Sequence, residues 1–130
     1  MSVLNELQSA VAGAAERVGP SVVGLGRGWG RGSGVITAAG TVLTNAHVLR
    51  GEEVAVTFAD GRTEHGRVAG ADPDLDLAAI AVETGDAVPV AWEPERVDAV
   101  GIGAPVFALA NPGGRGLLCR AADRTPGRRR

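Results

Sequence analysis

Apolar residues recur at Val3, Leu4, Leu7, Val11, Ala14 and Val18, in steps of three and four that put them on one face of a helix. Ser2 is placed to cap its start, and Gly19-Pro20 to end it with a left-handed cap followed by a residue that cannot continue the helix. Residues 1–19 are therefore expected to form a short amphipathic helix docked on the body of the protein. Beyond Pro20 the pattern shortens to strand periodicity. Residues 21–25, 34–37, 41–44, 53–59, 62–71 and 77–82 each read as strands, and Ala39-Gly40 and Asp60-Gly61 read as hairpin turns. Val54, Val56 and Phe58 alternate with Ala55 and Thr57, as a strand with one buried face requires. Six short strands with tight connections over residues 20–84 predict an all-β unit, a closed or nearly closed antiparallel barrel.

Residues 85–104 are a polar connection containing Pro89 and Pro94, and residues 105–114 are one further strand ending in the turn Asn111-Pro112-Gly113-Gly114. After that turn neither periodicity is visible, and residues 115–130 are expected to be a disordered, Arg-rich tail. Charge marks the same boundary: six Arg face a single acid from Arg115 onward, against seven Arg and fourteen acids before it.

Composition narrows the function classes. With 45% hydrophobic and 22% charged residues the chain is globular, and with 3% aromatics its core must be built from Val, Leu, Ile and Ala. The single cysteine, Cys119, cannot form an internal disulfide. No apolar run approaches a membrane span, and the acids Glu6 and Glu16 interrupt what a secretory leader would need, so cytoplasm is the default compartment. The Arg-rich end lacks stacking aromatics and the chain carries a net charge of −2, which argues against nucleic acid as a partner; the helix lacks a basic polar face, which argues against a membrane. His47, His65 and Cys119 have no metal-site spacing, and Asp72 and Asp74 lack the glycine and closing glutamate of a calcium loop; no metal and no cofactor are expected.

Two stretches stand out as chemistry. Gly32-Ser33-Gly34-Val35-Ile36 is followed, after a hairpin, by Val42-Leu43-Thr44-Asn45-Ala46-His47-Val48, and Asp72-Pro73-Asp74-Leu75-Asp76-Leu77-Ala78 comes later. Together they resemble the chymotrypsin-like (trypsin-like) serine proteases of the HtrA/Deg type, in which Thr-Asn-(Ala or Asn)-His-Val presents the catalytic histidine and Asp-Leu-Ala the catalytic aspartate. Residues 100–113 resemble the segment that opens the family's second barrel, with Ala110-Asn111-Pro112 where Gly-Asn-Pro is usual; the resemblance covers residues 18–114. It implies the first six-stranded barrel of such a protease behind an amino-terminal helix, with the second barrel largely missing. It also implies His47 as general base and Asp76 as its partner.

The chemistry suits those residue types. A serine hydroxyl is a weak nucleophile until a base takes its proton, imidazole titrates near neutrality, and a carboxylate on the other ring nitrogen fixes the tautomer and steadies the imidazolium. The nucleophile is the gap. The serines are Ser2, Ser9, Ser21 and Ser33, all upstream of His47, and the family's Gly-Asn-Ser-Gly-Gly is not in the sequence. Ser33 matches a structural strand of the family, and Arg31 stands where a nucleophile elbow needs glycine. The expectation is a serine endopeptidase cut short by truncation or by a frame change near Arg115, inactive by itself and acting on peptides or unfolded proteins only in its complete form. The alternative is a non-catalytic binding module, or half-protease, that uses the exposed inter-barrel face to hold a partner chain or to self-associate.

Overall fold

The computed structural model describes residues 2–27, 32–114 and 116–123. Helix α1 (Val3–Val18) starts where Ser2 Oγ accepts the Asn5 amide at 3.2 Å, so the expected cap is in place. Its end differs from expectation. Gly19 is right-handed (φ −48°, ψ −44°), and the chain tightens into a 3-10 turn over Gly19–Ser21 before extending at Val22. Pro20 lies at the start of that turn, where its fixed φ fits and no amide is needed. The apolar stripe of α1 is only partly covered: Val11, Ala14 and Val18 are half-buried, whereas Val3 and Leu4 are 79% and 76% exposed.

The strands are β1 (Val22–Leu25), β2 (Gly32–Ala38), β3 (Thr41–Thr44), β4 (Glu53–Thr57), β5 (Thr63–Asp72) and β6 (Leu77–Ala81). They close into an antiparallel barrel in the order β1-β2-β3-β6-β5-β4, as the turn spacing predicts. Gly40 and Gly61, at φ +80° and +91°, supply the left-handed turn positions that join β2 to β3 and β4 to β5. The core is Val23, Leu25, Ile36, Val42, Val56, Phe58, Ile80 and Val82, with Val54 packed against it, so the alternation Val54, Val56, Phe58 faces inward. Register slips between Ile36 and Ala38 and between Val68 and Gly70 bend β2 and β5 around the barrel. Arg62 ties the β4–β5 turn to the chain leaving β6. Its guanidinium lies 4.3 Å over the Phe58 ring and donates to the Thr84 carbonyl at 2.8 Å.

The connection after β6 runs back across the barrel, where Val90 N–H donates to Ile36 O at 2.8 Å and Ser21 Oγ donates to Val88 O at 2.6 Å. It includes a 3-10 turn over Pro94–Ala99 and leads to β7 (Pro105–Ala110). The expected disorder from residue 115 onward is corrected over part of its length: β8 (Leu118–Asp123) pairs antiparallel with β7, from Ala110↔Leu118 to Pro105↔Asp123. The turn makes this hairpin. Gly113 and Gly114 adopt φ +63° and +74°, and Asn111 Oδ1 accepts the Gly116 amide at 2.9 Å. An edge strand pairs through its backbone and needs no buried face, and Leu118 is 61% exposed, so no alternation announces it. The rest of that expectation, residues 124–130, lies outside the described residues.

The hairpin is seated on the barrel through its turn. A Cβ on Gly24 of β1 would come within 2.5 Å of Gly114 Cα and 2.6 Å of Asn111 O, so only glycine admits the contact. Ser33 Oγ accepts the Asn111 amide at 2.7 Å, and Asn111 is buried.

Candidate active site

Two loops at one end of the barrel bring His47 and Asp76 together. The chain leaves β3 at Thr44, whose hydroxyl donates to Ser33 O at 2.8 Å, and folds into a 3-10 turn over Ala46–Val48 that carries His47. Asp76 ends the turn between β5 and β6. Asp72 Oδ1 accepts the Asp74 and Leu75 amides at 3.1 and 3.2 Å, so Asp72 caps that turn, as expected of a turn residue. Asp76 N–H then donates to Pro73 O at 3.2 Å, and Asp76 adopts φ +54°, the one described non-glycine residue with positive φ. Aspartate tolerates that region better than most side chains.

His47 and Asp76 meet through both side chain and backbone. His47 Nδ1 and Asp76 Oδ2 are 2.6 Å apart, and the His47 amide donates to Asp76 Oδ1 at 2.9 Å. Both carboxylate oxygens are thus engaged by one residue. An ionised carboxylate only accepts, so Nδ1 carries the proton of this hydrogen bond, and in the neutral ring Nε2 is the accepting nitrogen. The imidazole is open to solvent, 72% exposed at the side chain against 42% for Asp76. The His47 amide above all, then the His47 ring, holds the Asp76 carboxyl below the ordinary carboxylate range. Such a pair can take a proton at Nε2 while the carboxylate keeps the ring oriented. A hollow of about 350 Å³ beside it is lined by Leu49, Val68, Ala71 and Pro73.

Of the other residues singled out in the sequence, none joins this pair. Ser33 lies within β2 with its hydroxyl engaged by the Asn111 amide. His65 is an exposed residue of β5 opposite Ala55, and Cys119 is an exposed residue of β8. No group of three or more potential metal ligands occurs among the described residues, and no described helix is long and apolar enough to cross a membrane. Asn45 went unassigned in the sequence reading, yet its side-chain amide donates to the Asp76 carbonyl at 3.1 Å. Its place two residues before His47 was the available signal.

Comparison with known proteins bears on the fold and the family. A family model described as a trypsin-like peptidase domain matches residues 32–128. The serine protease PepD of Mycobacterium tuberculosis is 36% identical over 113 residues, covering 75% of this chain and 24% of that protein. The human serine protease HTRA4 is 31% identical over 128 residues, covering 83% of this chain and 26% of that one. Among solved structures, the HtrA-type protease AlgW with tripeptide superposes with a TM-score of 0.79 at 30% identity, covering 92% of this chain and 41% of that one. The serine endoprotease from Yersinia pestis gives a TM-score of 0.74 at 29% identity, covering 85% and 42%. The chain thus spans about a quarter of the length of these curated relatives. With residues 32–128 matched by the family model and 92% of its length superposed on an HtrA-type protease, the chain belongs to the trypsin-like peptidase family, among the serine proteases of the HtrA type.

Proposed function

We propose that this chain carries the general-base half of a serine endopeptidase site, with His47 as base and Asp76 as its orienting partner. The observation that carries the reading is the two-point contact of Asp76 with His47, at Nδ1 and at the backbone amide. In the complete reaction Nε2 takes the proton of an attacking serine hydroxyl and returns it to the leaving amine, while Asp76 stabilises the imidazolium. The serine comes from elsewhere. The chain's four serines all precede His47, and Ser33 is occupied in the β2–Asn111 contact. Loss of the nucleophile alone lowers rate by about a million-fold in a serine protease, so the chain by itself leaves peptides uncut. Its substrates in the complete form are peptides or unfolded proteins.

The test supplies the missing half. The chain is mixed with a separately produced second barrel of an HtrA-type relative and treated with a serine-directed fluorophosphonate. Labelling is expected only with both chains present, and is lost with His47→Ala. Labelling or peptide cleavage by the chain alone would refute the reading.

A second reading, a half-protease or binding module that holds a partner chain, is favoured by one observation. An open apolar groove of about 510 Å³ runs between α1, the barrel and β7, walled by Val18, Val22, Val35, Leu43, Leu77 and Phe107. Size exclusion with light scattering discriminates here. Self-association, or capture of the added barrel without any serine-directed labelling, supports it, and a soluble monomer indifferent to that barrel opposes it.

A further inference from the structure

We infer that Asn45 is a positioning residue of the site: its side-chain amide holds the left-handed backbone of Asp76 and so keeps the carboxylate on the His47 imidazole. The inference rests on the reading of His47 and Asp76 as a catalytic pair. Asn45 is exposed, so water could satisfy its amide, yet that amide donates to Asp76 O at 3.1 Å. The neighbouring Ala46 amide donates to the same oxygen at 3.2 Å. A carbonyl has two lone pairs, and consecutive residues of one turn take both. Two residues on, His47 engages both oxygens of the Asp76 carboxylate. The segment 45–47 therefore grips Asp76 at its backbone and at its side chain.

The backbone grip has a geometric purpose. At φ +54° Asp76 occupies a region that L-residues leave unless their surroundings hold them there. On one side the hold is the Asp76 amide on Pro73 O; on the other it is the pair of donors on the Asp76 carbonyl. Relaxation to negative φ swings the Cα–Cβ bond and carries the carboxylate away from His47. Asn45 touches no reacting atom and acts through Asp76 alone.

The experiment follows the Asp76 carboxyl carbon by NMR across acid pH in the wild-type chain, in Asn45→Ala, and in Asn45→Leu, which keeps the shape of asparagine without its donor. The titratable groups near Asp76 are His47 on the facing turn and Asp72 and Asp74 on its own, and neither substitution alters their charge. The wild-type carboxyl is expected to titrate below the ordinary value, and both variants to move up toward it. Amide exchange at Ala46 and His47 should quicken about fivefold, the worth of one hydrogen bond. Folded variants whose Asp76 titrates as in the wild type would overturn the role of Asn45 and leave the His47–Asp76 pair standing. A wild-type Asp76 that titrates at the ordinary value would remove the pair itself, and the proposed function with it. Failure of both variants to fold would also overturn the inference, since a positioning residue leaves the barrel intact.

Discussion

Gly32→Ala probes the support of the site from behind. Gly32 begins β2 opposite Leu25, and a Cβ built on it meets Val48, the residue after His47. It would overlap Val48 Cγ1, lie 2.8 Å from Cγ2 and sit 3.1 Å from Cβ. Rotating the valine does not clear both methyls, because its Cβ is already close. The turn over Ala46–Val48 must shift, and His47 with it. Overpacking of this kind costs about 2 kcal/mol. Val48→Ala alone removes two half-buried methyl groups, worth together about 1 kcal/mol. If the two effects were independent, the double variant would lose about 3 kcal/mol. Removing the γ-methyls clears most of the overlap, so the double variant is expected to lose only about 1 kcal/mol, a coupling of about 2 kcal/mol. Urea unfolding of the four proteins measures the cycle. Losses that add to within ~0.5 kcal/mol would refute the claim that the Gly32–Val48 contact supports the histidine turn.

Acid should act through Asp76. Its carboxyl is held below the ordinary value in the folded chain, so across the interval between folded and unfolded values the unfolded chain binds more protons. The stability this contributes is complete above the unfolded value, about pH 4, and disappears as pH falls through the lower folded one. The stability gap between wild type and Asp76→Asn is therefore expected to narrow as pH falls below about 4; a gap that widens over that interval contradicts the hydrogen-bond account. Ser33→Ala leaves the Asn111 amide without its acceptor, and should cost about 1–2 kcal/mol in chemical denaturation while leaving the NMR signals of His47 and Asp76 in place. Perturbed His47 signals would instead tie Ser33 to the site.

The barrel was legible because its core positions obey a simple rule. Val54, Val56 and Phe58 face inward and the glycines of the tight turns are where hairpins need them, so period and punctuation sufficed. The His47–Asp76 pair was legible only through motif resemblance, since nothing in a spacing of 29 residues says that two loops converge. What escaped depends on contacts between backbone and backbone or between glycine and side chain. Gly19 reads as a left-handed cap but continues right-handed into a turn that Pro20 favours. β8 lacks alternation because Leu118 and Cys119 lie on an exposed edge. The approach of Gly24 to Gly114, and of Gly32 to Val48, leaves no trace in hydropathy. Asn45 sat inside a recognised motif, but its role follows only from the unusual φ of the residue it grips.

Closure of the six strands has a consequence for how the molecule meets other chains. Around the barrel every strand has two neighbours, although segments such as Gly70–Asp72 of β5 are paired on one side only. Among the described residues, β7 and β8 are the strands that have one strand neighbour each and so stay open along their whole length. Strand-by-strand growth of this protein, whether with a cognate sheet or into an aggregate, therefore finds its longest open edges on the ribbon. The rim that holds the histidine and the aspartate is shielded from slippage by the continuity of the wall beneath it.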